Sequence, residues 1–168
     1  GRTKKDPAAL TRAVGLYREL ARLYPTNDSL ALAASSEGEA LFDLGRYSES
    51  AQAHERALAL PNTPADLRRE AAFGAALARE RVAAADGYKS PALRDSLERA
   101  VTRLEAASPG DARVSPLWLS LALGSKEHDD PVRARRVFEH VAGRDTSEAS
   151  RRSQAELGRT ALADSRWL

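Results

Sequence analysis

The chain has no cysteine and no methionine among its 168 residues. Without cysteine, disulfide bonds, thiolate nucleophiles and cysteine-ligated metal sites are excluded, while the redox compartment stays open, so both the cytoplasm and the periplasm of a bacterium fit. Without methionine the chain has no natural start residue, and we expect it to be a processed or excised piece of a longer protein. Its bias toward arginine and alanine is typical of a GC-rich bacterial genome.

Aromatic residues are also scarce, at 5% of the chain, although 42% of the residues are hydrophobic. The interiors of sheets prefer β-branched and aromatic side chains, whereas alanine and leucine favour closely packed helices. A chain of 168 residues is long enough to bury a sizeable core. The composition therefore predicts one all-α domain over residues 1–168.

Neither sign of charge dominates, because the formal net charge is +2 and acidic residues are interspersed among the basic ones. A nucleic-acid partner would call for a basic stripe or patch, and the sequence supplies none. No apolar run approaches the roughly 20 residues that span a bilayer. We therefore expect neither a nucleic-acid partner nor membrane insertion by this segment.

The clearest pattern lies between Ala31 and Asn62, where small and large residues recur at helical spacing. Gly38 stands in a first helical segment, and a Gly-x-aromatic turn follows at Gly45 and Tyr47. A second helical segment carries the matching small and large residues at Ser50, Ala53, His54, Ala57 and Leu58. This stretch resembles one tetratricopeptide repeat (TPR), a pair of antiparallel helices. The resemblance implies a right-handed superhelical solenoid that acts as a binding scaffold and has no chemistry of its own.

The same pattern recurs along the chain. The large residue of the second helix is matched at Tyr17, His54, Val101 and Phe138. These positions are 37, 47 and 37 residues apart, so one interval requires an insertion of about ten residues. The small residue of the first helix recurs in step at Gly38, Gly74, Ala122 and Gly158. We expect the three glycines to let neighbouring helix backbones approach closely.

Loops rich in Pro, Gly, Asn and Asp divide the chain, because these residues end helices or cap the next one. The pattern predicts eight helices, at about residues 7–24, 29–44, 47–60, 64–85, 91–107, 114–127, 131–142 and 147–165. The insertion is expected near residues 80–92, where it extends one helix and adds a loop at 86–91. The predicted array starts with a second-type helix and ends with a first-type helix, so we expect the missing partner helices to come from adjacent sequence of the longer protein or from a second copy of the chain.

Catalytic and metal-binding residues are not expected. His54 takes a position that a packed aromatic usually holds, and the acidic residues beside His128 suit a turn and the N-cap of the helix that begins at Pro131. Glu37 and Glu39 would point in different directions on a helix, so they form no acid–base pair. The sequence therefore predicts no enzyme activity and no cofactor.

The resemblance implies that a partner binds in a concave groove lined by the first helix of each pair. The groove residues would be Ser35, Glu39, Phe42, Asp43, Arg68, Ala75, Arg79, Leu119, Leu123, Lys126, Arg152 and Arg159. An alanine-rich floor with apolar contacts and arginine walls would suit a peptide or helical segment that carries carboxylates. Family members that hold chaperone tails have Lys and Asn where Ser35 and Glu39 stand, so that partner is not expected.

Two functions remain from the sequence. The first is a protein–protein interaction scaffold that binds a peptide or helical segment of a partner. The alternative is a self-association or regulatory domain of a larger bacterial enzyme or regulator, with homo-oligomers formed through the terminal half repeats. Both are binding functions, and they differ in whether the partner is another protein or a second copy.

Overall fold

The computed structural model describes the backbone of residues 6–165 and the side chains of residues 6–162. This part of the chain is all-helical and has no strand. Its eight helices are α1 (Pro7–Leu23), α2 (Leu30–Asp43), α3 (Tyr47–Ala59), α4 (Ala65–Ala85), α5 (Pro91–Ala107), α6 (Val114–Glu127), α7 (Pro131–Ala142) and α8 (Glu148–Ser165). The predicted all-α class and helix count are confirmed, and each predicted boundary is within one residue of the observed one.

Three helices begin with the same local device, a capping side chain followed by proline. Asp6 accepts a hydrogen bond from the backbone N–H of Ala8 at 2.9 Å, and Pro7 opens α1. Ser90 does the same before Pro91 of α5, and Asp130 before Pro131 of α7. The cap satisfies a free N–H of the first turn, and proline lacks the N–H that would otherwise be unpaired there. The predicted capping role of the acidic residues before α7 is confirmed.

The helices form two rows. Each helix packs against the next one in the chain, and the even-numbered helices also contact one another in series, α2 with α4, α4 with α6 and α6 with α8. The odd-numbered helices of the described chain have no such direct backbone contacts; ion pairs or shared grooves lie between them. Because every described helix packs against neighbouring helices of the array, stability depends on stacking. The superhelical form of the array stays a prediction.

His54 joins the first two even-numbered helices. Its ring is 3% exposed, and its tip lies between Gly38 on α2 and Gly74 on α4. A Cβ atom would be 2.6 Å from His54 Nε2 if added at Gly38 and 2.4 Å if added at Gly74. Both glycines therefore make room for the ring. The predicted packing role of His54 is confirmed, and the glycines permit this side-chain contact rather than a direct approach of two backbones.

The prediction for Gly158 is wrong. Gly158 is exposed, and no atom beyond its own helical surroundings lies within 4 Å of the position that a Cβ would take. It lies on α8, the last described helix, and no described helix covers this side of it. Within the described part of the chain, Gly158 therefore has no packing role.

The insertion has a structural role beside α6. As predicted, it lengthens α4 to Ala85 and adds a loop before α5. Gly87 and Tyr88 in this loop have φ angles of 64° and 58°, and Tyr88 places its ring against Gly124. A Cβ at Gly124 would be 2.4 Å from Tyr88 Cγ. Gly124 on α6 thus makes room for this ring, and the expected small residue Ala122 is itself fully buried on the same helix.

Candidate functional site

The predicted groove residues all lie on the even-numbered helices. We call the exposed and half-buried side chains of α2, α4, α6 and α8 that do not line a groove between two odd-numbered helices the even-helix surface. On α2 this surface includes Leu32, which is 58% exposed, together with the exposed Glu39 and Asp43 and the half-buried Phe42. Ser35 is 2% exposed, so its side chain is covered and contributes no surface for a partner.

On α4 the predicted alanine floor is wrong. Ala75 is 3% exposed, and the neighbouring alanines Ala71, Ala72 and Ala78 are also buried. The side of α4 that carries them packs against α3 and α5. Arg79 is turned toward α3, where its Nη2 lies 2.9 Å from Glu55 Oε1, and Arg68 donates to the backbone oxygen of Thr63 at 3.3 Å.

The part of the even-helix surface on α4 has different residues. Phe73 is half-buried under the guanidinium of Arg113, whose Cζ lies 4.0 Å from the ring centroid. Arg113 is held in place by Asp111 and Glu70. Leu77 is half-buried and Arg81 exposed on the same helix. The surface here is aromatic and charged, whereas small alanine side chains were expected.

On α6 and α8 the structure places the predicted residues at the surface. Leu119 and Leu123 are half-buried, and Lys126, Arg152 and Arg159 are exposed. Lys126 Nζ lies 2.7 Å from Glu156 Oε2, and Arg159 pairs with the same carboxylate. The hydrogen bond from Lys126 lowers the pKa of Glu156. Glu156 therefore offsets much of the positive charge that was expected to hold an acidic partner.

Sequence reasoning missed a groove of about 500 Å³ between α1 and α3, with α2 as its floor. We call it the α1–α3 groove. Its apolar lining consists mainly of Tyr17, Ala21, Leu30, Ala34, Ala59 and Leu60. The groove exists because α1 and α3 each pack on α2 without packing on each other. Ligand clefts commonly have volumes of roughly 300–1,000 Å³ and a mostly apolar lining with a few polar groups.

The polar groups of the α1–α3 groove meet at Glu37. This carboxylate side chain is 4% exposed, and it accepts hydrogen bonds from Arg18 Nε at 2.7 Å and Arg56 Nη2 at 2.5 Å. The two arginine side chains are 48% and 53% exposed. Glu37 thereby connects α1 and α3 across α2, while Glu39 is exposed, which confirms that the two carboxylates point apart. The sequence contained one signal for this buried ion pair, because Glu37 falls between Ala33 and Leu41 on the buried side of α2, where a carboxylate needs a partner.

Replacing Glu37 with glutamine is expected to lower the free energy of unfolding by about 2 kcal/mol, because a buried group loses charge-assisted bonds to two arginines. Glu39→Gln is the matched control, since it makes the same chemical change on an exposed residue of α2 and should stay within about 0.5 kcal/mol. Urea denaturation of the three proteins measures both effects. Equal stability of the two variants would contradict the assigned role of Glu37.

The residues around His128 form a turn. His128 Nε2 contacts the backbone oxygen of Gly87, and Asp130 caps α7 through the backbone N–H of Arg133 at 3.2 Å. Among residues 6–162, no group of three or more His, Cys, Asp or Glu side chains is placed to hold a metal ion. These residues therefore connect the insertion loop to the start of α7.

Comparison of the chain with protein-family models, curated proteins and solved structures found no match. The TPR resemblance accordingly stays a prediction that depends on the repeat pattern. No helix within the described range has the length and apolar character needed to cross a membrane. The even-helix surface and the α1–α3 groove are therefore the candidate sites of function.

Proposed function

We propose that the chain is a protein–protein interaction module that binds a peptide or helical segment of another protein on the even-helix surface. The observation that supports this most is the exposure of apolar side chains beside charged ones on helices that contact in series. Leu32 is 58% exposed on α2, and Leu119 and Leu123 are half-buried on α6. Lys126 and Arg152 are exposed near the same surface. An amphipathic segment can bury its apolar side on such a surface while its charged residues contact the rim.

Selection of a randomised 12-residue peptide library on the immobilised chain tests this function. We expect selected peptides to bind Leu32→Glu about tenfold more weakly than the unchanged chain, because a charge replaces an apolar contact at the interface. Gln52→Glu on α3 is the control, since it adds the same charge on an exposed odd-numbered helix. Fluorescence anisotropy of the labelled peptides measures the affinities. A chain that selects no peptide would contradict the proposal.

Self-association is the second candidate, favoured by a separate observation on α1. Leu16 and Leu23 are 66% and 49% exposed, and together with Leu20 they lie on one side of the helix. A second copy of the chain would bury these leucines. Light scattering after size-exclusion chromatography distinguishes the two functions: the module predicts a mass of 18.2 kDa at every concentration. A dimer that Leu16→Glu dissociates would instead support self-association.

A further inference from the structure

We infer that the α1–α3 groove is a second docking site, and that its occupant is a segment of another protein with an apolar side chain close to a carboxylate. The inference rests on the proposed function only in that the occupant belongs to a partner protein. It goes beyond that function because this groove lies between two odd-numbered helices, away from the even-helix surface. The apolar lining and the charges around Glu37 point to this chemistry independently.

The lining suits an apolar side chain. Alanines on three different helices, Ala21, Ala34 and Ala59, leave the space that larger side chains would fill. Leu30 and Leu60 close one end of the groove and also border a smaller cavity of about 160 Å³ at the neighbouring loops. An apolar side chain placed here would remove this lining from water, which favours binding.

The charges select an acidic neighbour for that side chain. Ion pairs link Arg18 and Arg56 to Glu37, and Arg18 and Arg46 to Glu49, so three guanidinium groups share two carboxylates. Arg56 donates through one of its nitrogens, Nη2, and Glu37 is its acceptor among the described side chains. A guanidinium carries five N–H donors, so a half-exposed arginine with one acceptor can also bind a partner's carboxylate. The positive excess favours aspartate or glutamate over lysine beside the apolar residue.

A neighbouring groove supplies matched controls. It has a volume of about 520 Å³ and lies between α3 and α5, with Arg68 and Ala72 of α4 in its floor. Arg103 and Ala106 line its α5 side and repeat the spacing of Arg56 and Ala59. In this second groove Glu55 pairs with Arg79 of α4, and no ion pair with a described side chain holds Arg103 in position, whereas Glu37 holds Arg56 beside the α1–α3 groove. A guanidinium that is already positioned loses less freedom when it binds, so the second groove should bind the peptides more weakly. Identical substitutions can therefore be made in both grooves on exposed helical positions.

The test uses the randomised 12-residue peptide library on the full chain, with Arg56→Met and Ala59→Trp as groove variants. Methionine keeps the length of the side chain without the charge, and tryptophan at the exposed Ala59 fills the groove. Ala59 also lines the second groove, so its effect is assigned to the α1–α3 groove only where Arg56→Met, which changes the α1–α3 groove alone, has the same effect. Arg103→Met and Ala106→Trp are the controls, and thermal denaturation verifies that all four variants fold. We expect the selected peptides to place Asp or Glu near Leu, Ile or Phe. Each α3 variant should weaken the binding of these peptides about tenfold, and the α5 variants should leave it unchanged.

The outcomes separate this inference from the proposed function. Peptides that lose affinity with Leu32→Glu but not with the α3 variants would overturn the groove site and leave the even-helix surface supported. Peptides sensitive only to the α3 variants would support the groove and overturn the even-helix surface as the binding site. Groove-binding peptides without acidic residues would overturn the inferred partner chemistry. If the chain selects no peptide at all, both proposals are overturned.

Discussion

Lowering the pH from 7 to 4 is expected to reduce the free energy of unfolding by about 3 kcal/mol through His54 alone. Burial between α2 and α4 lowers the pKa of this histidine from 6.5 to about 4, because the charged ring would lose its hydration there. Its Nδ1 is buried and has no hydrogen-bond partner among the described residues. The folded chain therefore holds His54 in the neutral form.

The free energy of unfolding decreases as the pH falls because His54 binds a proton more readily in the unfolded chain than in the folded chain. Above pH 6.5 His54 is neutral in both states and favours neither of them. Between pH 6.5 and about 4 the unfolded chain binds a proton at His54 that the folded chain does not bind, so the stability falls as the pH falls. Below about pH 4 both states are protonated, and this residue causes no further loss.

Urea denaturation between pH 4 and pH 7.5, repeated for His54→Leu, measures this contribution. Carboxylates with lowered pKa, such as Glu70 and Glu156, destabilise both proteins at low pH to the same degree. The difference between the two pH curves therefore isolates His54, and the curve of the leucine variant should be flatter between pH 4 and 6.5. Parallel curves would show that His54 titrates normally in the folded chain.

Gly74→Ala is expected to lower the free energy of unfolding by about 1–3 kcal/mol, although alanine is the better helix former. The added Cβ would lie 2.4 Å from His54 Nε2, and Gly38 bounds the same ring tip from α2. The ring therefore has no space to move aside unless the helices separate. Gly158→Ala is the control, because a Cβ meets nothing there and helix propensity alone should stabilise the chain by about 0.5–1 kcal/mol.

A double-mutant cycle with His54→Ala identifies the partner of Gly74. Once the ring is removed, Gly74→Ala should cost little or even stabilise the helix, as Gly158→Ala does, so the two substitutions should couple strongly. Thermal denaturation of the four proteins in the cycle provides the measurement. Additive effects, or a Gly74→Ala variant as stable as the unchanged chain, would rule out the contact of His54 with Gly74.

Local signals were strong enough to predict the helices from the sequence. Capping residues followed by proline, as at Asp130 and Pro131, define where helices begin, and they act through backbone groups within one turn. The interval between Gly38 and Gly74 also predicted a shared packing role, and His54 was expected in the core. The contact of one histidine ring with both glycines was not predicted, because it depends on how three helices meet.

The α1–α3 groove and the role of Tyr88 were not predicted, for a related reason. A charged residue such as Glu37 does not fit the pattern of small and apolar residues on the buried side of α2. Its partners Arg18 and Arg56 lie on other helices, and only the tertiary structure brings them beside it. Tyr88 lies in a loop, and a loop residue has no periodicity that could assign it to Gly124 on α6. Both features join residues from different parts of the chain, and the spacing of these residues follows no repeat.

The sequence by itself determined the all-α class, the eight helices and the buried place of His54, because helix periodicity, caps and loop residues act over a few positions. Only the tertiary structure decided which side of α4 is exposed. This helix has alanines around most of its circumference, and alanine is small enough to be buried or exposed at similar cost. Packing against α3 and α5 made that choice and buried Ala75. The α1–α3 groove was also decided by the tertiary structure, because α1 and α3 each pack on α2 and not on each other.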